Sequence, residues 1–131
     1  MTEQPFFERL QARAIASDSL LCVGLDPHPE LLPENSARAA RTFCEELITA
    51  TAEFACAFKP NAAFFEALGP DGVAALQAVI AAVPDGIPVI LDAKRGDIAS
   101  SAEAYARAAF DVLGAHALTV NPYLGGDAIA P

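Results

Sequence analysis

The sequence predicts an α/β architecture with a parallel sheet, corresponding to about the first four units of a TIM-type (β/α)8 barrel. Three observations carry this expectation. Apolar strand-like runs alternate with amphipathic helical stretches, the order that builds a parallel sheet. Each strand-like run is closed by a polar residue, usually with Pro or Gly close behind: Asp26, Lys59, Asp92 and Asn121. These residues are 33, 33 and 29 positions apart, about one strand-plus-helix unit each. Barrels and open α/β sheets place their chemistry at the carboxyl ends of successive strands. The first strand is followed by Gly24-Leu25-Asp26-Pro27 and not by a GxGxxG turn, which favours a barrel over a dinucleotide-binding open sheet.

The elements follow in order. Residues 5–17 read as a short amphipathic helix, and Leu20 to Leu25 as the first strand. Residues 34–54 read as a long helix, with Ala40, Phe43, Cys44, Leu47, Ile48 and Phe54 at helical spacing. Ala55 to Phe58 is the second strand, ended by Lys59-Pro60-Asn61. A short helix is expected over residues 62–68, and Gly69-Pro70-Asp71-Gly72 opens another, with Val73, Leu76, Ile80 and Val83 on one face. Ile87 to Leu91 is the third strand. Ser100 and Glu103 have the spacing of a capping box for a helix near 101–113, which Gly114 would stop. Ala117 to Val120 is the fourth strand. Tyr105 and Phe110 are expected in the core.

A whole barrel usually needs about 250 residues. The 131 residues here supply four strand units and reach Pro131 where a fourth helix should begin. Four strands alone would leave unpaired edges and an apolar barrel interior. Residues 1–131 are therefore expected to be the N-terminal half of a longer barrel domain.

Composition narrows the partners. A net charge of −9 argues against a nucleic-acid polymer or an anionic membrane surface as partner. No apolar run approaches a membrane span, and Met1-Thr2-Glu3-Gln4-Pro5 lacks a signal-peptide pattern. Cys22, Cys44 and Cys56 are odd in number and fit no zinc spacing, so buried, reduced thiols in a cytoplasmic protein are expected. His28, in a loop after Pro27, and His116, just before the fourth strand, read as structural or exposed.

The chemistry concentrates in Asp92-Ala93-Lys94-Arg95-Gly96-Asp97, where four charges fall within six residues directly after an apolar run. Strand alternation points Asp92 and Lys94 the same way. Gly96 permits a tight turn, and Asp97 follows at the mouth of the next helix. Lys59, at the neighbouring strand end, can converge on Asp92 and Lys94. Alternating lysines and aspartates nearly balance in charge and can persist half-buried. A lysine among carboxylates stays protonated and can act as a general acid. No metal-ligand spacing and no nucleophile–base pattern is present. Blander readings also fit single residues: Asp26 and Asn121 as turn residues before proline, Lys59 as a solvated strand end, Ser100 as a helix cap.

Asp92-x-Lys94-x-x-Asp97 resembles the signature of the orotidine 5′-phosphate decarboxylase family. Leu21-Cys22-Val23-Gly24-Leu25-Asp26-Pro27 and Phe58-Lys59-Pro60-Asn61 resemble its first two strand ends. Asp92 to Ile98 and Thr119-Val120-Asn121-Pro122-Tyr123-Leu124-Gly125 resemble the bacterial type 2 subgroup. The resemblance runs from about Leu20 to Gly126, with four segments in the family's order. It implies cofactor-free decarboxylation of orotidine 5′-monophosphate to UMP, in pyrimidine biosynthesis. Asp26 would bind the ribose hydroxyls, and Lys59 would contact ribose and anchor the charge array. Asp92 would lie against the substrate carboxylate, and Lys94 would protonate C6. Asp97 and Ile98 would reach into a neighbouring subunit's site, since enzymes of the family are homodimers with shared sites. Ser101, where many relatives have threonine, and Asn121 would lie near substrate. The phosphate grip would come from later strands, so these 131 residues alone are expected to be inactive. Two other readings stand beside this one: a sugar-phosphate aldolase or decarboxylase of the same barrel superfamily, usually using Mg²⁺, and a non-catalytic half-barrel assembly module.

Overall fold

In the computed structural model, which describes residues 5–130, four parallel strands lie side by side in chain order. Residues 1–4, which belong to the segment without a signal-peptide pattern, and residue 131 lie outside the described residues. The strands are β1 (Leu21–Leu25), β2 (Ala55–Pro60), β3 (Ile90–Arg95) and β4 (Ala117–Val120). β1 pairs with β2 and β3 with β4, both parallel. Two parallel bridges, Phe58 to Val89 and Asn61 to Asp92, join the pairs across the middle. Beside the first of them the Phe58 N–H donates to Pro88 O at 3.0 Å. This is the order of consecutive units in a (β/α)8 barrel.

The helices are α1 (Phe6–Ser17), α2 (Ala37–Thr51), α3 (Ala62–Glu66), α4 (Gly69–Ala81) and α5 (Ala99–Arg107). Ser36 caps α2, its hydroxyl accepting from the Ala39 N–H at 3.1 Å. Pro70 occupies the first turn of α4, where its missing N–H costs nothing. α1 carries Arg13, which donates to Ala52 O at 2.6 Å and Ala55 O at 2.9 Å, joining the end of α2 to the start of β2.

Alternation along the strands separates two faces. Leu25, Phe58, Val89 and Leu91 pack with Cys44, Ile48, Phe65, Leu76, Val79 and Ile80 into one core between sheet and helices. Lys59, Asp92, Lys94 and Thr119 lie on the other face, toward the barrel axis.

Several boundaries differ from the sequence expectation. The stretch expected as one helix from residue 34 begins at Ala37, after a 3₁₀ turn over Pro29–Leu31. β3 begins at Ile90 rather than at Ile87, and runs through the charged cluster to Arg95. Ser100 is not a helix cap. The first helical hydrogen bonds, from the Ser101 and Ala102 N–H groups, return to Ile98 O, so Ile98 holds the N-cap position with no side chain capping it, and Ala99 beside it is left-handed (φ 41°). Past Arg107 the helix widens into a π turn over Ala108–Val112, and Gly114 (φ 74°) stops it. The π turn shifts the helical phase, so Ala109 is buried while Phe110 is exposed. Tyr105, also expected in the core, is exposed and lies under the Arg95 guanidinium, 5.1 Å from the ring centre.

The cysteines are free thiols. Cys44 and Cys56 are buried as expected, but Cys22 is exposed, on a strand paired on one side only among the described residues. Burial pushes the Cys44 thiol up to about 12 and, most strongly among its causes, raises Cys22 as well, so neither is held as thiolate.

Candidate active site

The site is built at the carboxyl ends of β2, β3 and β4. The buried carboxylate of Asp92 is its centre. Lys59, at the end of β2, donates from Nζ to Asp92 Oδ2 at 3.1 Å. Lys94, two residues along β3, donates from Nζ to Asp92 Oδ1 at 2.6 Å. Each carboxylate oxygen thus faces its own ammonium. The Asp92 side chain is 12% exposed, that of Lys59 35% and that of Lys94 69%. The charge is therefore fixed at the base of the cluster, while the Lys94 ammonium is open to an incoming molecule.

The Lys94 ammonium holds the Asp92 carboxyl down to about 2, with hydrogen bonds from Thr119 and Lys59 adding to the effect against the opposing cost of burial. Asp92 is therefore an anion throughout the physiological range. The sign follows for stability. A carboxyl depressed in the folded state stabilises it above its ordinary value of 3.8, and that contribution is lost as pH falls through about 2. After allowance for screening by water at the lysines, it is on the order of 1–2 kcal/mol. Asp92→Asn removes this contribution, so urea midpoints at pH 5 and pH 2.5 should differ less in the variant than in the parent. An equal difference in both would contradict it.

The tops of β3 and β4 are irregular. The register runs from Leu91–Leu118 directly to Arg95–Val120, so Asp92, Ala93 and Lys94 together face the single residue Thr119. Lys94 takes a left-handed conformation (φ 49°), which costs a non-glycine residue about 1–2 kcal/mol. The Thr119 hydroxyl accepts from the Ala93 N–H at 3.1 Å and the Lys94 N–H at 3.0 Å, and donates to Asp92 Oδ1 at 2.8 Å. On the outer side, Arg95 Nη2 bonds Glu66 Oε1.

Gly96 is needed for close approach and not for a left-handed turn. A Cβ there would lie 2.9 Å from Asn121 O and 3.3 Å from Asn121 Cβ, beside the 2.7 Å bond from the Asn121 N–H to Arg95 O. Gly96→Ala should cost about 1–3 kcal/mol through this overpacking, read as a lowered thermal midpoint. An unchanged midpoint would contradict the close approach.

The other expected site residues fall into two groups. Asp26, at the end of β1, is half-buried, and its buried Oδ1 has no hydrogen-bond partner among the described residues. Such an orphaned acceptor suits a hydroxyl donor. Asn121 is exposed and its Oδ1 accepts from the Tyr123 N–H at 3.0 Å, capping the 3₁₀ turn over Pro122–Leu124. Its amide thus has the turn function that the sequence also allows. Asp97 does not join the lysines of its own chain; its Oδ1 accepts from the Ile98 N–H at 2.8 Å. Ile98 (62% exposed) and Ser101 are on the surface at the start of α5. The structure therefore brings Lys59, Asp92 and Lys94 together, leaves Ile98 and Ser101 exposed, and bonds the half-buried Asp97 to the Ile98 N–H and to neither lysine. Sequence reasoning gives Thr119 no role, although it lies two residues before Asn121 and hence on the same face of β4. The His28 ring lies against Phe64, tilted by 60° with ring centres 4.3 Å apart.

Among the described residues no three His, Cys, Asp or Glu side chains cluster to hold a metal ion, and no helix is long and apolar enough to cross a membrane.

Comparison with known proteins fixes the family. Residues 19–131 match the family model described as orotidine 5′-phosphate decarboxylase / HUMPS family. The chain belongs to this family. Over 129 residues it is 55% identical to the orotidine 5′-phosphate decarboxylase of Roseiflexus sp. (strain RS-1), covering 96% of this chain and 47% of that protein. It is 50% identical to the enzyme of the same name from Herpetosiphon aurantiacus, covering 96% and 48%. The structure of Leishmania donovani OMP decarboxylase superposes with a TM-score of 0.87 at 54% identity, over 96% of this chain and 48% of that one. The chain spans about half the length of the curated relatives it matches. Its four β/α units therefore correspond to part of the decarboxylase barrel.

Proposed function

We propose that the polypeptide carrying this chain decarboxylates orotidine 5′-monophosphate to UMP, in the cytoplasm, as a homodimer. The supporting observation is one buried carboxylate with an ammonium on each oxygen, at the mouth of the barrel. The C6–carboxylate bond of the substrate breaks, CO₂ leaves, and the electron pair stays on C6. Lys94 Nζ then gives C6 a proton, and the neutral amine regains one from water. The C6 carbanion is poorly delocalised, so fixed cations beside it are the main stabilising resource. Because Asp92 is ionised at neutral pH, its charge opposes the substrate carboxylate, and that repulsion disappears with CO₂.

The remaining roles are those that the family resemblance implies. Asp26 would take the ribose hydroxyls on its orphaned oxygen, and Lys59 would contact ribose while holding Asp92. Asp97 and Ile98 would complete the partner subunit's site. Ser101 and Asn121 would border the substrate. Residues 1–131 would form the N-terminal half of the barrel domain, with the phosphate grip supplied by the other half. Complementation tests this reading. A bacterial strain lacking the decarboxylase should grow without uracil when it expresses the longest natural polypeptide carrying this sequence, and should not grow when it expresses the 131 residues alone. Absence of growth with the folded longer polypeptide would refute the assignment.

A further inference from the structure

The bulge in β3 leaves backbone donors that the two lysines cannot satisfy. Three consecutive residues of β3 meet one residue of β4, so the Ala93 and Lys94 N–H groups have no ladder carbonyl opposite them. Both donate instead to one side-chain oxygen, Thr119 Oγ1, at 3.1 and 3.0 Å. The same hydroxyl directs its own proton to Asp92 Oδ1 at 2.8 Å, the oxygen that also receives Lys94 Nζ at 2.6 Å. One hydroxyl therefore ties the left-handed backbone of Lys94 to the carboxylate its side chain grips.

We propose that Thr119 is a positioning residue for the decarboxylation: its hydroxyl stands in for the missing carbonyl of the ladder and sets Lys94 and Asp92 relative to each other. The proposal rests on the decarboxylase reading for its effect on turnover, but not for its structural content. Serine retains the hydroxyl and loses only a methyl group. Valine keeps the shape, suits a strand, and offers neither acceptor nor donor. The groups facing Asp92 are Lys59 from β2, Lys94 from β3 and Thr119 from β4. With both lysines in place, loss of the Thr119 donor alone should raise the Asp92 titration point.

The test uses Thr119→Val and Thr119→Ser in the longest natural polypeptide carrying this sequence. Thr119→Val should lower kcat about tenfold or more, the scale of one charge-assisted hydrogen bond, with a smaller change in KM. Its acid limb should move to higher pH, and amide exchange at Ala93 and Lys94 should speed up. Thr119→Ser should recover most of the lost turnover. Wild-type kcat and an unmoved Asp92 titration in Thr119→Val would overturn the proposal, as would Thr119→Ser as impaired as Thr119→Val. If Thr119→Val does not fold, Thr119→Ser decides alone: near-parent kcat and an unmoved acid limb support the role, and impairment overturns it. If the parent does not turn over orotidine 5′-monophosphate, the decarboxylase reading fails. The Asp92 carboxyl titration by NMR and the Ala93 and Lys94 amide exchange then still decide the part played by Thr119.

Discussion

In the longest natural polypeptide carrying this sequence, replacing Lys94 by alanine should lower turnover of orotidine 5′-monophosphate by at least about 10³-fold, because in the proposed reaction one side chain would supply both the proton and a cation beside C6, and each effect alone is typically worth about 10²-fold or more. The fold should survive. The Lys94 side chain is 69% exposed, and Asp92 keeps its bonds from Lys59 and Thr119, so the stability change should be within about 1 kcal/mol. Alanine inherits the left-handed conformation that lysine already tolerates, so no new backbone strain is added. Steady-state kinetics beside thermal unfolding of parent and variant check both halves. Activity within tenfold of the parent would remove Lys94 from the proton transfer. Loss of activity together with loss of fold would show that the lysine is structural.

The second large effect is on stability. Phe58→Ala should destabilise the protein by about 3–5 kcal/mol. Phe58 is fully buried in the core between sheet and helices. Its backbone also makes the 3.0 Å bond to Pro88 and the bridge to Val89 that join the two strand pairs. The cavity therefore opens at the seam of the sheet, next to Lys59. Equilibrium urea unfolding measures the change. A loss below about 1 kcal/mol would mean that the helices collapse onto the gap and that this core is not close-packed.

Much of the fold and of the charge cluster is legible in the amino-acid sequence. Strand order follows from the alternation of apolar runs and helices, because only a parallel sheet accommodates it with short loops. The convergence of Lys59, Asp92 and Lys94 follows from their places at adjacent strand ends. The features that sequence does not reveal depend on backbone detail. The capping-box spacing of Ser100 and Glu103 is genuine as a pattern, but the helical hydrogen bonds start earlier, at Ile98 O. The apolar spacing that places Phe110 in the core assumes 3.6 residues per turn, and the π turn breaks that phase. The function of Thr119 depends on a bulge that brings three β3 residues opposite it, and periodicity cannot show a bulge. Gly96 has the look of a turn glycine, but its need comes from a contact with Asn121, 25 residues away in sequence.

Release of CO₂ from substrate decides whether the lysine–aspartate array at the ends of β2 and β3 belongs to a decarboxylase. The most direct measurement follows orotidine 5′-monophosphate labelled in its carboxyl group, incubated with EDTA and the purified, folded, longest natural polypeptide carrying this sequence. One labelled CO₂ should be released for each UMP formed. No release from that preparation, with consumption of a ketose phosphate once magnesium is restored, would contradict it.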